Sequence, residues 1–194
     1  MTGISIRAEL QIREAQEQLR GLIDRMADLR PFLNAVGDRL IGSSGDNFRN
    51  QSGPDGRSWT PLAPATIKAR QRKGQTPITI LRSNSKGRIG SALAGSINKE
   101  VGDDEVRVGS PVEYAAIHQL GGTIHKPARV AKIYRRMEKD GSIGRRFVKK
   151  SKANVVSDVT IPSHTITIPA RPFIGISGAD EAGILEDAEN WLSR

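Results

Sequence analysis

No cysteine occurs among the 194 residues. Disulfides, thiol catalysis and thiolate-held metals are thereby excluded, and stability is left to packing or oligomerisation. Aromatic residues make up only 4% of the chain, and the stretch 126–159 holds just Tyr134 and Phe147, thin material for the stacking platforms of single-strand binders. No apolar run approaches the roughly 20 residues of a membrane span, so no membrane partner is expected. The opening residues Met1-Thr2-Gly3-Ile4-Ser5-Ile6-Arg7 run directly into a charged helical pattern. They lack the basic, apolar and small-residue order of a signal peptide, and the expectation is a protein that stays in the cytoplasm where it is made.

Catalytic constellations are missing as well. His118 and His125 lie seven apart, but Gly121-Gly122 breaks the helix that would align them, and no carboxylate sits at a ligand interval. Ser83-Asn84-Ser85-Lys86 has the Ser-x-x-Lys pattern of some acyl-transfer enzymes without their further motifs. Gly87-Arg88-Ile89-Gly90 has neither the spacing nor the Lys-Ser/Thr of a phosphate loop. The expectation is a protein without enzymatic activity, catalytic residues, metal or cofactor.

What the chain does have is positive charge in one place. Its net charge is +9 and its pI near 10.2. Residues 126–152 contain eleven Lys/Arg against Glu138 and Asp140, so that segment carries the entire excess. The remainder, nineteen bases against nineteen acids, is neutral. Within the segment, Arg135, Arg136, Arg145, Arg146, Lys149 and Lys150 are the candidate contacts to DNA phosphates or to an acidic protein surface. The segment has no sustained apolar period and is interrupted by Gly141 and Gly144. It reads as an inserted basic hairpin or mobile arm, 126–160, in an otherwise single domain of 1–194.

Elsewhere the hydrophobic pattern is ordinary. Ile12, Ala15, Leu19, Leu22, Met26 and Leu29 recur at steps of three and four and predict an amphipathic helix that Pro31 ends or kinks. Pro31 suits the first turn of a second helix with Phe32, Val36, Leu40 and Ile41 on its apolar face, loosened at Gly42-Ser43-Ser44-Gly45, with Phe48 near its close. These form an N-terminal helical region, 1–50. The stretch 53–62 is a Pro/Gly turn region anchored by Trp59, either packed inward or offered to a partner. A short basic helix is expected over 64–72, another short helix around 88–93, and a hairpin with arms 95–101 and 105–108 around Gly102-Asp103-Asp104. Pro111 opens a short helix that Gly121-Gly122 stops. Thr165-Ile166-Thr167-Ile168 alternates as an edge strand, 169–175 forms a rigid turn, and 181–192 a final helix. The predicted fold is α+β: N-terminal helices, a small, mainly antiparallel sheet with short helices, an extended basic insert and a C-terminal helix.

Several pieces in order give a resemblance. They are Gly53-Pro54-Asp55-Gly56 with Trp59 and Pro61-Leu62; Ile80-Leu81-Arg82; Leu93 with Ser96-Ile97; Val108-Gly109-Ser110; Tyr114-Ala115-Ala116-Ile117-His118-Gln119 with Gly121-Gly122; and the run from Ile168 through Arg171 and Phe173 to Gly175. Together they resemble the virion morphogenesis family of Mu-like phages, related to phage tail completion proteins. The resemblance covers most of the chain outside the basic insert. It implies a structural, homo-oligomeric ring subunit, a hexamer, that completes the tail or joins it to the neck. Its expected partners are the tail tube or terminator and the connector or neck proteins, and its expected place is the virion, after assembly in the host cytoplasm. In that assembly the basic insert is expected to contact either DNA in the connector channel or an acidic face of an adjacent ring. The alternative is a DNA-binding accessory protein acting through 126–152. Tyr114, His118 and Gln119 lie about a helical turn apart, as a polar cluster or an intersubunit contact. Arg171 is suited to brace carbonyls or carboxylates beside Phe173.

Overall fold

The computed structural model describes residues 13–82, 84–85, 88–89 and 93–193. The chain divides into two compact units. One takes the chain up to Leu120 together with the segment from Ala170, and the other is Gly121–Pro169. The fold is α+β.

In the first unit, α1 (Arg13–Ala27) is followed by α2 (Arg30–Asn50). Asp28 marks the break, accepting hydrogen bonds from the Arg30 backbone N at 3.2 Å and from its Nε at 2.8 Å. Pro31 falls in the first turn of α2, where its missing N–H costs no helix bond. α2 does not loosen at Gly42-Ser43-Ser44-Gly45 as the sequence suggested; it continues to Asn50. Packing overrides propensity here. Ser44 is buried, Ser43 Oγ donates to Asp180 Oδ2 at 2.8 Å, and Asn47 and Phe48 one turn on enter the core.

Helix α3 (Pro64–Arg72) follows the turn region as expected. The helix expected around 88–93 is not found where the chain is described: β1 (Asn84–Ser85) pairs antiparallel with β2 (Arg88–Ile89). The rest of that stretch, with the Ser-x-x-Lys residues Ser83 and Lys86, lies outside the described residues. β3 (Asn98–Val101) and β4 (Val106–Gly109) form the expected hairpin, closed by Gly102 N donating to Glu105 O at 2.8 Å. It packs against α2 at Gly37, where an added Cβ would stand 2.6 Å from Lys99 Cδ. Lys99 is tied there by Asp38 at 2.6 Å and the Asn34 carbonyl at 2.9 Å. α4 (Ala115–Leu120) ends at Gly121, whose φ of +72° is the left-handed backbone that glycine adopts freely.

The closing helix α5 (Gly178–Ser193) starts with a capping box. Ser177 Oγ accepts from Asp180 N at 3.1 Å while Asp180 Oδ2 accepts from Ser177 N at 2.9 Å. It lies against α2 through Arg39–Asp187 at 2.8 Å and a Phe32–Trp191 stack with centroids 5.5 Å apart. The core of this unit is Phe48, Trp59, Leu93, Ala115 and Phe173, flanked by Ile80, Leu81, Ile97, Val112 and Ile174. Phe48 meets Phe173 at 5.1 Å and Trp59 edge-on at 5.7 Å. Three of the few aromatics are thus concentrated in one cluster, where each ring removes a large apolar area from water.

The second unit is an antiparallel ribbon. β5 (Gly122–Lys126) pairs with β8 (His164–Ile168), and β6 (Arg129–Arg135) with β7 (Val155–Ile161). The register runs on without a slip: Lys126 faces His164, and the next partners are Arg129 and Ile161. Between them stand Pro127 and Pro162, which have no N–H to donate to a ladder. At about 3.3 Å per residue, 122–135 spans about 45 Å. All four strand pairs among the described residues are antiparallel, but they stand as separate two-stranded pieces instead of one small sheet. The segment 126–160 reads in sequence as a hairpin or a mobile arm without strand bounds, and β6 and β7 form a hairpin there. The bounds of β5, β6 and β7 were not assigned because Arg129, Lys132 and Arg135 interrupt the apolar positions of β6 and the β-branched run Val155–Ile161 was not weighed by itself.

Candidate functional site

Two places gather the residues singled out from the sequence: the turn where the chain re-enters the first unit, and the basic ribbon. The turn begins at Arg171. Its backbone N donates to the His118 carbonyl at 2.8 Å, and its guanidinium donates through Nε to Thr60 O at 2.9 Å and through Nη2 to Pro61 O at 3.2 Å. Arg171 is only 6% exposed and, among the described residues, no carboxylate pairs with it. Burial lowers its pKa from the ordinary guanidinium value.

Gln119 completes the clamp. Its Oε1 accepts from Phe173 N at 2.9 Å and Ile174 N at 3.1 Å, and its Nε2 donates to Ile174 O at 2.7 Å. Trp59 Nε1 donates to Pro172 O at 2.8 Å, and Asn47 Nδ2 to Phe173 O at 3.2 Å. Phe173 itself is buried in the core. The backbone of a proline-rich turn, which no strand neighbour serves, is therefore satisfied by side chains from α2, the Pro/Gly loop and α4. Gln51, in the left-handed cap position after α2, similarly accepts Ile80 N at 2.7 Å.

Tyr114 is exposed and stands edge-on to His118, ring centroids 5.9 Å apart. The His118 pKa is lowered from the ordinary 6.5, first by burial and then by the Arg171 charge, and its Nδ1 finds no partner among the described residues. Gly121 stops α4 and Gly122 opens β5. Such an arrangement fixes a turn. It offers no nucleophile with its base, and among the described residues no group of three His, Asp or Glu is placed to hold a metal.

Asn47 and Gln51 were not found from the sequence, because a polar residue at a helix end carries no period. Ser177-Gly178-Ala179-Asp180, by contrast, spells a capping box that was open to being read.

On the ribbon, Arg136, Arg145, Arg146, Lys149 and Lys150 are exposed; Arg135 is half-buried with its guanidinium 5.6 Å from the Phe147 ring centroid. The tip is a built structure. Glu138 N donates to Ser142 O at 2.8 Å, Gly144 N to Arg136 O at 2.8 Å, Val148 N to Tyr134 O at 2.9 Å, and Met137 N to Asn154 Oδ1 at 2.7 Å. A 3-10 turn, Lys150–Lys152, leads back to β7. None of the eleven Lys/Arg in 126–152 forms an ion pair among the described residues. Asp140 instead accepts from the backbone N and Oγ of Ser142, and these bonds hold its pKa below the ordinary 3.8.

The sequence model of the phage virion morphogenesis family matches residues 10–193. The chain belongs to this family. Among related proteins, the putative capsid assembly protein G of Escherichia phage Mu is 36% identical over 107 residues, 53% of this chain and 65% of that protein. The chain thus spans just under two thirds of the Mu protein's length in that match. Mu-like prophage FluMu G protein 2 of Haemophilus influenzae is 27% identical over 187 residues, 95% of each chain. No solved structure matches. As a member of the virion morphogenesis family, the chain has a structural role in phage assembly. Both the clamp and the ribbon lie within the matched region.

Proposed function

We propose that this chain completes the tail or joins it to the neck of a phage particle, as a non-catalytic subunit of a homo-oligomeric ring. The observation that carries the reading is the family match over 10–193. The surface agrees with it. α1 has no buried residue and leaves Leu19, Ile23 and Met26, at steps of four and three, about 60% exposed. An apolar stripe of that kind is a contact surface in search of a neighbour. In this reading ring faces meet the tail tube or terminator on one side and a connector protein on the other, and the particle's tail or neck is where the subunit resides. Six copies are the number that the family resemblance favours.

Electron microscopy of the purified protein, and of particles labelled with an antibody against it, tests the reading. Rings in isolation and label at a tail end are the expected result. A monomer that binds duplex DNA with an affinity falling steeply in salt would replace it with the second reading, a DNA-binding accessory protein. That second reading draws on the ribbon cations that form no ion pair among the described residues.

A further inference from the structure

The ribbon has the features of a surface made to be covered. Both of its strands are edges, and a two-stranded ribbon is at best marginally stable in water. Between β6 and β7 one face carries Ala131, Ile133, Val155, Val159 and Ile161, and the other Val130, Tyr134 and Val156. Val130 is 67% and Val156 56% exposed. At the tip Phe147, 69% exposed, lies in sequence between Arg145-Arg146 and Lys149-Lys150, all four exposed, with the Arg135 guanidinium 5.6 Å from its ring centroid.

The complement of that tip lies on the same chain. α5 contains five acids and no base. Two are engaged, Asp180 in the capping box and Asp187 with Arg39, while Glu181, Glu186 and Glu189 are exposed and form no ion pair among the described residues. Glu181, Leu185, Glu189 and Leu192 follow at steps of four, four and three along one face, with Glu186 beside them, and Leu185 is 66% exposed. An exposed apolar side chain with anions one turn to either side stands here, as exposed Phe147 stands between two pairs of cations along the chain at the tip.

We propose that the ribbon tip of one subunit seats on the α5 stripe of a second copy, with Phe147 against Leu185 and the four tip cations facing Glu181, Glu186 and Glu189. A second ribbon is the wrong occupant, because two segments that each carry the +9 excess repel. Duplex DNA would satisfy the cations but leave Phe147 in water. The contact joins two different surfaces, so in a ring it repeats head-to-tail, the tip of each subunit on α5 of the next. It rests on the ring reading and assigns that ring its subunit contact.

The test is a charge swap in the full chain. The variants are R145E/R146E/K149E/K150E, E181K/E186K/E189K and the combination of all seven, with circular dichroism as the check on folding. Sedimentation velocity is expected to show self-association weakened about tenfold or more in each partial variant and restored in the combination. Association unaffected by the tip reversal overturns the proposal and leaves the ring reading standing, including where the reversal abolishes only DNA binding. Wild-type protein that stays monomeric at every concentration overturns the ring reading itself. Carbodiimide cross-linking of mixed light and heavy isotope-labelled wild type gives an answer independent of variant folding. Links from Lys149 or Lys150 to Glu186 or Glu189 between chains support the contact, and links confined to one chain overturn it.

Discussion

His118 is the titrating group most strongly tied to the clamp. Burial and the Arg171 charge both disfavour its imidazolium, so its folded pKa lies below the ordinary 6.5 while the unfolded chain keeps that value. Above 6.5 both states hold the neutral ring and His118 contributes no pH dependence. As pH falls through 6.5 toward the folded value, the unfolded state binds more protons and stability is lost. Thermal melts are expected to show the wild type losing more stability between pH 7.5 and 5.5 than His118→Gln; parallel curves would remove His118 from the account. Trp59→Phe tests the clamp itself, since it keeps an aromatic ring, smaller than the indole, and deletes the donor to Pro172 O. Urea unfolding is expected to show a loss of about 1–3 kcal/mol, from the lost part-buried hydrogen bond together with the volume that the smaller ring leaves in the core. At this scale the sequence was legible where a residue type is scarce: with so few aromatics, Trp59 and Phe173 drew the eye. Asn47 and Gln51 were silent, because what they do depends on backbone brought from 80 and 173.

Among the elements, α2 departs most from local expectation, and its glycines show why. Gly42 is exposed in the helix interior and an added Cβ would meet nothing within 4 Å, so this glycine only adds freedom to the unfolded chain. Gly42→Ala is expected to raise stability by about 0.5–1 kcal/mol in denaturant titrations. Gly37 sits on the same helix and predicts the opposite sign. There an added methyl would stand 2.6 Å from Lys99 Cδ and 3.0 Å from Val106 Cγ2, on a lysine already tied to Asp38 and the Asn34 carbonyl. Gly37→Ala is expected to cost about 1–3 kcal/mol by overpacking. The helices and the β3–β4 hairpin were readable because their period or turn residues are local. Of the ribbon, the alternation of Thr165–Ile168 in β8 was readable, and the hairpin was one of two readings of 126–160. The bounds of β5, β6 and β7 were not readable, because a ribbon with water on both faces need not keep a clean apolar–polar alternation, and in β6 cations fill positions that would otherwise mark it.

For the whole molecule, the division into two compact units has an energetic consequence. Every member of the buried aromatic and aliphatic cluster belongs to the first unit, and so does each hydrogen bond of the Gln119–Arg171 clamp. Replacing 127–163 by a short Gly/Asn turn keeps β5 and β8 as the arms of an ordinary hairpin, since Lys126 and His164 already face each other. The deletion takes away ten bases and three acids, lowering the net charge from +9 to +2. Calorimetry is expected to show a single transition within about 5 °C of the wild type, roughly the effect of 1 kcal/mol on a domain of this kind. A much lower transition would mean that the ribbon contributes to the core's stability, contrary to the division. Sedimentation velocity on the same variant is expected to show the oligomer lost, because the docking energy resides in the ribbon and the folding energy in the frame. Retention of a full-sized oligomer would shift the subunit contact to the exposed face of α1, where Leu19, Ile23 and Met26 already offer an apolar stripe to water.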